Sequence, residues 1–279
     1  MYPRTIIGLY KLMKIKITLQ IFLLIFFMFS PSWSETMTMD DLVERNDLYY
    51  KRFSFVPYTG GISGYRVEGG EELSEKGSFR KGKKNGEWLT FHENGELHSK
   101  GKFKDGKITG LWEWYLENGQ ISFKGNFKDG REEGCWEHYH DNGQVSLKGK
   151  FKDGKEEGVW EYYHYNGELY SKGNFKNGKQ EGLWENYHEN GELYSNGNFK
   201  DGNEEGVWKY YHENGIVYSK GNFKGGKLEG LWKYYHDNGK LKEKGNFKDG
   251  KQEGLWDYYH YNGEVSKKEN FKDGYEIFE

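Results

Sequence analysis

The sequence predicts an all-β protein, an elongated single-layer antiparallel β-meander built from tandem 24-residue β-hairpin repeats. Three observations carry this. A tryptophan recurs every 24 residues, as Trp88, Trp112, Trp136, Trp160, Trp184, Trp208, Trp232 and Trp256. Asn-Gly follows each Trp by six and seven positions, from Asn94-Gly95 to Asn262-Gly263, between aromatic and β-branched runs. That is the strongest short-range hairpin signal. The chain is 30% charged and only 34% hydrophobic, yet 18% aromatic, with the aromatics in register. Such polarity with few aromatics would read as disorder; here Trp, Tyr and Phe faces supply the buried area. Self-similarity at this period marks a repeat array whose units stack on their neighbours, so function is expected on a long surface.

The N-terminus differs from the rest. Arg4, Lys11, Lys14 and Lys16 precede the apolar run Ile17 to Phe29, and Ser32-Trp33-Ser34 supplies small residues where a signal peptidase cuts. Residues 1–34 are therefore read as a secretory signal and the chain as exported, periplasmic or extracellular. Uncleaved, the run would be a membrane anchor, although about 13 apolar residues fall short of the roughly 20 needed to span. No Cys follows the run, which excludes a lipoprotein anchor. Removing residues 1–34 leaves 37 bases against 44 acids, a net charge of −7. That balance argues against nucleic acid and disfavours anionic lipid as partners.

Residues 35–61, with Met39-Asp-Asp-Leu-Val-Glu-Arg and then Tyr49-Tyr50, are a lead-in too short for a catalytic domain. Residues 62–85 keep Leu73, Gly77, Phe79 and Gly82 but lack the Trp, as a degenerate capping repeat does. Residues 86–279 hold the eight full repeats. About eighteen strands at roughly 4.8 Å predict a twisted ribbon on the order of 85 Å long.

Within one unit, a type I′ turn at Asn166-Gly167 would set Tyr165 against Glu168, Tyr163 against Tyr170, Glu161 against Lys172 and Trp160 against Gly173. The Gly leaves room for the indole, and Glu161 with Lys172 is a favourable cross-strand pair, as are Glu113 with Lys124 and Glu137 with Lys148. The same register sets Lys209 against Lys220 and Lys233 against Lys244, two like-charge pairs. A second turn follows each Phe, mostly as Lys-Asp-Gly-Lys. Alternation puts the Trp, the His four residues on, the apolar residue after the turn (Leu97, Ile121, Val145, Leu169) and the Phe on one face. The other face carries the Tyr three after each Trp, among charges. A bulge at any Gly would shift this parity.

The repeated Gly-x-Trp-x-x-Tyr-His-x-Asn-Gly followed by Gly-x-Phe-Lys-Asp-Gly-Lys resembles a MORN repeat in its bacterial variant form. The lead-in Leu42-Val-Glu-Arg-Asn-Asp-Leu-Tyr-Tyr with Val56-Pro-Tyr-Thr-Gly60 is similar to the segment preceding these repeats in YwqK-like bacterial proteins. The resemblance covers roughly residues 40 to 275. It implies a single-layer antiparallel ribbon that binds proteins, and sometimes lipids, without catalytic residues of its own. The YwqK-like group carries an antitoxin label, which sits uneasily with an exported chain.

Several columns invite sharper readings. His92, His140, His164, His188, His212, His236 and His260 recur two strands apart, about 9.6 Å, whereas zinc needs ligands converging on bonds of about 2.0 Å. No metal is expected. The Asp-Gly steps, Asp105-Gly106 through Asp273-Gly274, are turns rather than calcium loops, which need clustered oxygens. Cys135, the single cysteine, stands where other units have Val or Leu and reads as a small buried apolar residue. The Trp column reads as structural packing, because every unit needs it. The Tyr column, Tyr115, Tyr139, Tyr163, Tyr187, Tyr211, Tyr235 and Tyr259, is the candidate partner-binding set, although cross-strand stacking would also explain it. No catalytic constellation and no cofactor site stands out. The expected function is non-enzymatic protein binding, antitoxin-like or immunity-like. The alternative is an envelope glycan-binding module that uses the aromatics as a stacking ladder, as choline-binding modules do for their ligand.

Overall fold

The computed structural model describes residues 37–68 and 71–277. The proposed secretory signal, residues 1–34, lies outside them. From Gly60 onward the described chain forms one open antiparallel sheet of twenty strands, laid out in sequence order as tandem hairpins. The eighteen expected strands become twenty in two places. The first Trp strand is broken into Lys83–Lys84 and Gly86–Phe91, and a stub, Tyr275–Ile277, follows the last repeat. No α-helix occurs among the described residues.

Each repeat is a hairpin of a Trp strand and a Phe strand, for example Lys155–Tyr163 and Leu169–Lys176. The register matches expectation where Trp160 pairs with Gly173 and Glu161 with Lys172, but Tyr163 pairs with Leu169, leaving Tyr170 as the extra residue of a bulge. The cause is the turn. Gly167 N–H donates to His164 O at 2.9 Å and His164 N–H to Glu168 O at 2.8 Å. Asn166 Oδ1 accepts from Glu168 N–H at 2.9 Å. Only Gly167 has positive φ, 86°. This is a longer loop ending on a left-handed Gly, not the type I′ turn expected there. The mirror-image turn sits instead at the other end of the unit. Asp153 and Gly154 both have positive φ, 51° and 79°, and Lys152 pairs directly with Lys155.

The bulge also revises the face assignment. Trp160, Gly173 and Phe175 do share a face, but Leu169 is opposite Tyr163, and His164 sits in the turn.

A second irregularity falls between repeats. Between Phe strand Leu169–Lys176 and Trp strand Lys179–Tyr187, Gly173 pairs with Trp184 but Asn174 pairs with Glu181, so Gly182 and Leu183 are bulged out. Gly182 has φ 73°. The gap in the ladder is filled by the indole, whose Nε1–H donates to Asn174 O at 3.2 Å. Trp112, Trp136, Trp160, Trp208 and Trp232 make the same bond ten residues back.

The core is the Trp column, with all eight indoles between 1% and 7% exposed. Each indole lies over the Gly of the preceding unit rather than its own hairpin partner. A Cβ on Gly173 would stand 2.2 Å from Trp184 Cδ2. Phe175 and Phe199 bracket Trp184 edge-on at 5.3 and 5.9 Å. Because each Trp strand completes the previous unit's surface, an isolated repeat would leave its Gly and Phe uncovered.

The N-terminal end is closed by more than the worn repeat. A hairpin of Leu42–Arg45 and Leu48–Lys51 docks on it, with Tyr49 N–H donating to Gly82 O and Gly82 N–H to Tyr58 O. Tyr49, Tyr58 and Trp88 enclose Phe79, which is 2% exposed.

Candidate functional site

The face opposite the Trp column carries a repeating polar bracket. Alternation along Trp strand Lys155–Tyr163 puts Glu161 and Tyr163 on that side, and the ladder to the preceding Phe strand sets Lys148 opposite Glu161. Lys148 Nζ lies 2.8 Å from the Glu161 carboxylate and 5.2 Å from the centroid of the Tyr163 ring, while Tyr163 O–H donates to Glu161 at 3.0 Å. The expected ion pairs within hairpins form instead across the seam between units: Lys100 with Glu113, Lys124 with Glu137, Lys148 with Glu161 and Lys172 with Glu185, at 2.7–2.9 Å. Glu161 and Lys172 are ladder partners, but the carboxylate turns to the lysine of the previous unit. The Lys148 ammonium holds the Glu161 carboxyl below the usual carboxylate range, and that carboxylate in turn raises Lys148.

All seven tyrosines of the candidate set, Tyr115 to Tyr259, are partly buried. The backbone carbonyls of six of them, all but Tyr139, whose preceding turn has Leu116 in place of His, are held by a histidine of the preceding turn. His140 Nε2–H donates to Tyr163 O at 3.0 Å, His164 to Tyr187 O at 3.3 Å and His188 to Tyr211 O at 3.2 Å. Since a carbonyl only accepts, Nε2 carries the proton in each. The His column is thus a set of clips between turns. Among the described residues no group of three His, Cys, Asp or Glu side chains is placed to hold a metal ion.

The residue before each Trp faces outward. Leu111, Val159, Leu183, Val207, Leu231 and Leu255 are 48–60% exposed, and Cys135 in the same column is exposed rather than a buried apolar residue. The bulge at Gly-x is what turns this side chain out.

Three exposed residues escaped the sequence reading: Tyr170, Tyr194 and Tyr218, 51%, 46% and 40% exposed at the bulge after the Asn-Gly loop. Tyr194 packs on His188 at 5.1 Å and on Tyr210 at 6.1 Å. With Tyr218, His212 and Glu213 they line an open cleft of about 540 Å³. Burial pushes the Tyr210 phenol up to about 12. The available signal was a break in the repeat: equivalent positions hold His98, Ser122, Ser146, Lys242 and Ser266, so Tyr there is confined to three central units.

These features define a class, a repeat ribbon with two decorated faces whose columns are set by period rather than by a pocket. A family model described as MORN repeat variant matches residues 84–105, 108–129, 132–153, 156–177, 180–201, 204–224 and 228–249. These matches span more than half of the chain, which belongs to that family. Repeats of this family serve as interaction modules, and as a rule they are binding scaffolds rather than catalysts. No curated protein sequence matches the chain.

Proposed function

We propose that this chain is an exported, non-enzymatic scaffold that binds another protein along its bracketed face, in an antitoxin-like or immunity-like role outside the cytosol. The observation that supports it is the Lys–Glu–Tyr bracket. It presents tyrosine rings at one period on a surface whose backbone is fixed by the Trp column, so ordering the side chains costs little on binding. Tyrosine contributes wide contact area with few rotatable bonds. The candidate residues are Tyr115, Tyr139, Tyr163, Tyr187, Tyr211, Tyr235 and Tyr259. Burial of the eight periodic Trp rings takes that column away from stacking on a sugar, which weighs against the glycan module.

Export rests on the basic residues Arg4 to Lys16 ahead of the apolar run and on Ser32-Trp33-Ser34. Intact mass of the protein from its own cell should place the mature N-terminus at Glu35. Purified protein mixed with the envelope fraction should retain one stoichiometric protein. Retention on wall polysaccharide with no protein would overturn the reading in favour of the glycan module.

A further inference from the structure

The bracket that recurs in the first units fails in two later ones, whose Trp strands carry Lys209 and Lys233 in place of the glutamate. Lys209 pairs with Lys220, Lys220 with Lys233 and Lys233 with Lys244 on successive strands. Where earlier Trp strands carry Glu113, Glu137, Glu161 or Glu185, these carry lysine. Among the described residues no carboxylate lies within ion-pair distance of Lys209, Lys220 or Lys233, whereas Lys244 finds Asp257 at 3.3 Å. Like charges directly opposite destabilise a sheet. The fold does not require them, since glutamate occupies the same backbone position elsewhere in the array.

We infer that Lys209, Lys220 and Lys233 form a docking site for an acidic segment of the partner protein, an inference that rests on the scaffold reading above. Charge complementarity selects such a segment. The chain is net negative, −3 overall, so a stripe of uncompensated ammonium groups is a local inversion of its field. Across the strands the row from Lys209 to Lys244 covers three gaps of about 4.8 Å, roughly 14 Å, longer than a single phosphate. An extended peptide puts same-side carboxylates about 6.8 Å apart, so two or three fit along it. The stripe is also narrow. Glu205 and Glu229 face the same side, where they hold the turn amides of Gly225 and Asp249 at 2.9 and 3.1 Å. They would repel a broad anionic membrane but leave a line open for a peptide. Tyr235, with Lys220 Nζ 5.5 Å from its ring centroid, connects the stripe to the tyrosine column.

The test uses a change that should act in opposite directions on folding and binding. K209E/K233E restores the opposite-charge ladder around Lys220, so its Tm should rise. Binding of a fluorescent poly-glutamate peptide to the full-length protein, which should weaken with salt, should fall on the order of tenfold or more. K152E/K176E, with the same net charge but substituted at the turn ends, should bind as wild type. A peptide that does not bind, or binds K209E/K233E equally, would overturn the site. So would phosphatidylserine vesicles or inorganic phosphate binding through these lysines in preference to the peptide. Retention of the same envelope protein by wild type and K209E/K233E alike would overturn the site and leave the scaffold reading standing. Retention of no protein by either would overturn both.

Discussion

Trp184 occupies the space that a side chain on Gly173 would need: a Cβ there would lie 2.2 Å from its ring. The two residues belong to different repeats, so the seam between units is also the core. Gly173→Ala must push the indole off its seat, and overpacking of this kind costs about 1–3 kcal/mol. Trp184→Ala should cost about 3–5 kcal/mol. Urea titration of each variant checks both values.

The seam ion pairs are exposed enough to be weak. A double-mutant cycle on Lys148→Ala and Glu161→Ala should give a coupling of about 0.2–1 kcal/mol that shrinks in high salt. A coupling that is larger and indifferent to salt would mean the bracket is more shielded than its exposure indicates.

The turn chemistry can be tested at one unusual position. Gly225 has φ 55° where Asn177 has φ 52° in another unit. Gly225→Asn should stabilise by about 0.4–1 kcal/mol, because asparagine tolerates this conformation and restricts the unfolded chain. Asn177→Val should destabilise by about 1–2 kcal/mol, the left-handed penalty for an ordinary L residue. Chemical denaturation separates the two signs.

Acid should loosen the array. The carboxyls of Glu137 and Glu161 are held low by Lys124 and Lys148. A group whose pKa is lower when folded stabilises above its ordinary value, here 4.5, and loses that contribution as pH falls through the folded value. Tm measured from pH 6 downward should therefore begin to fall near the ordinary carboxylate range. The double variant E137Q/E161Q should show a shallower decline.

Deleting residues 158–181, one period of the array, should leave a shorter folded ribbon, since stability is carried between nearest neighbours. Circular dichroism and the urea m-value should report a cooperative fold with a proportionately smaller buried surface.

The hairpin repeat was legible in the sequence because one Trp, one Asn-Gly and one Phe return in every unit, and so were Trp160 opposite Gly173 and Glu161 opposite Lys172. What escaped was parity and partner choice. Gly182 signals equally well a turn, a bulge or a close approach, and only the folded ladder shows that it ejects Leu183. Asn166-Gly167 looks like a type I′ turn until the loop from His164 to Glu168 is seen to close by its own hydrogen bonds, which displaces Tyr170. Glu161 has lysine on both sides, Lys148 and Lys172, and sequence alone gives no reason to choose the earlier one. The lysine stripe was visible as strain in the expected register, and the structure keeps that register.

The most direct measurement of the central claim is capture from the envelope fraction with wild type beside Y163A/Y187A/Y211A, each checked for unchanged secondary structure and melting. The account predicts that wild type retains a stoichiometric protein and the folded variant loses it. Equal retention by both would contradict the assignment of binding to the tyrosine face.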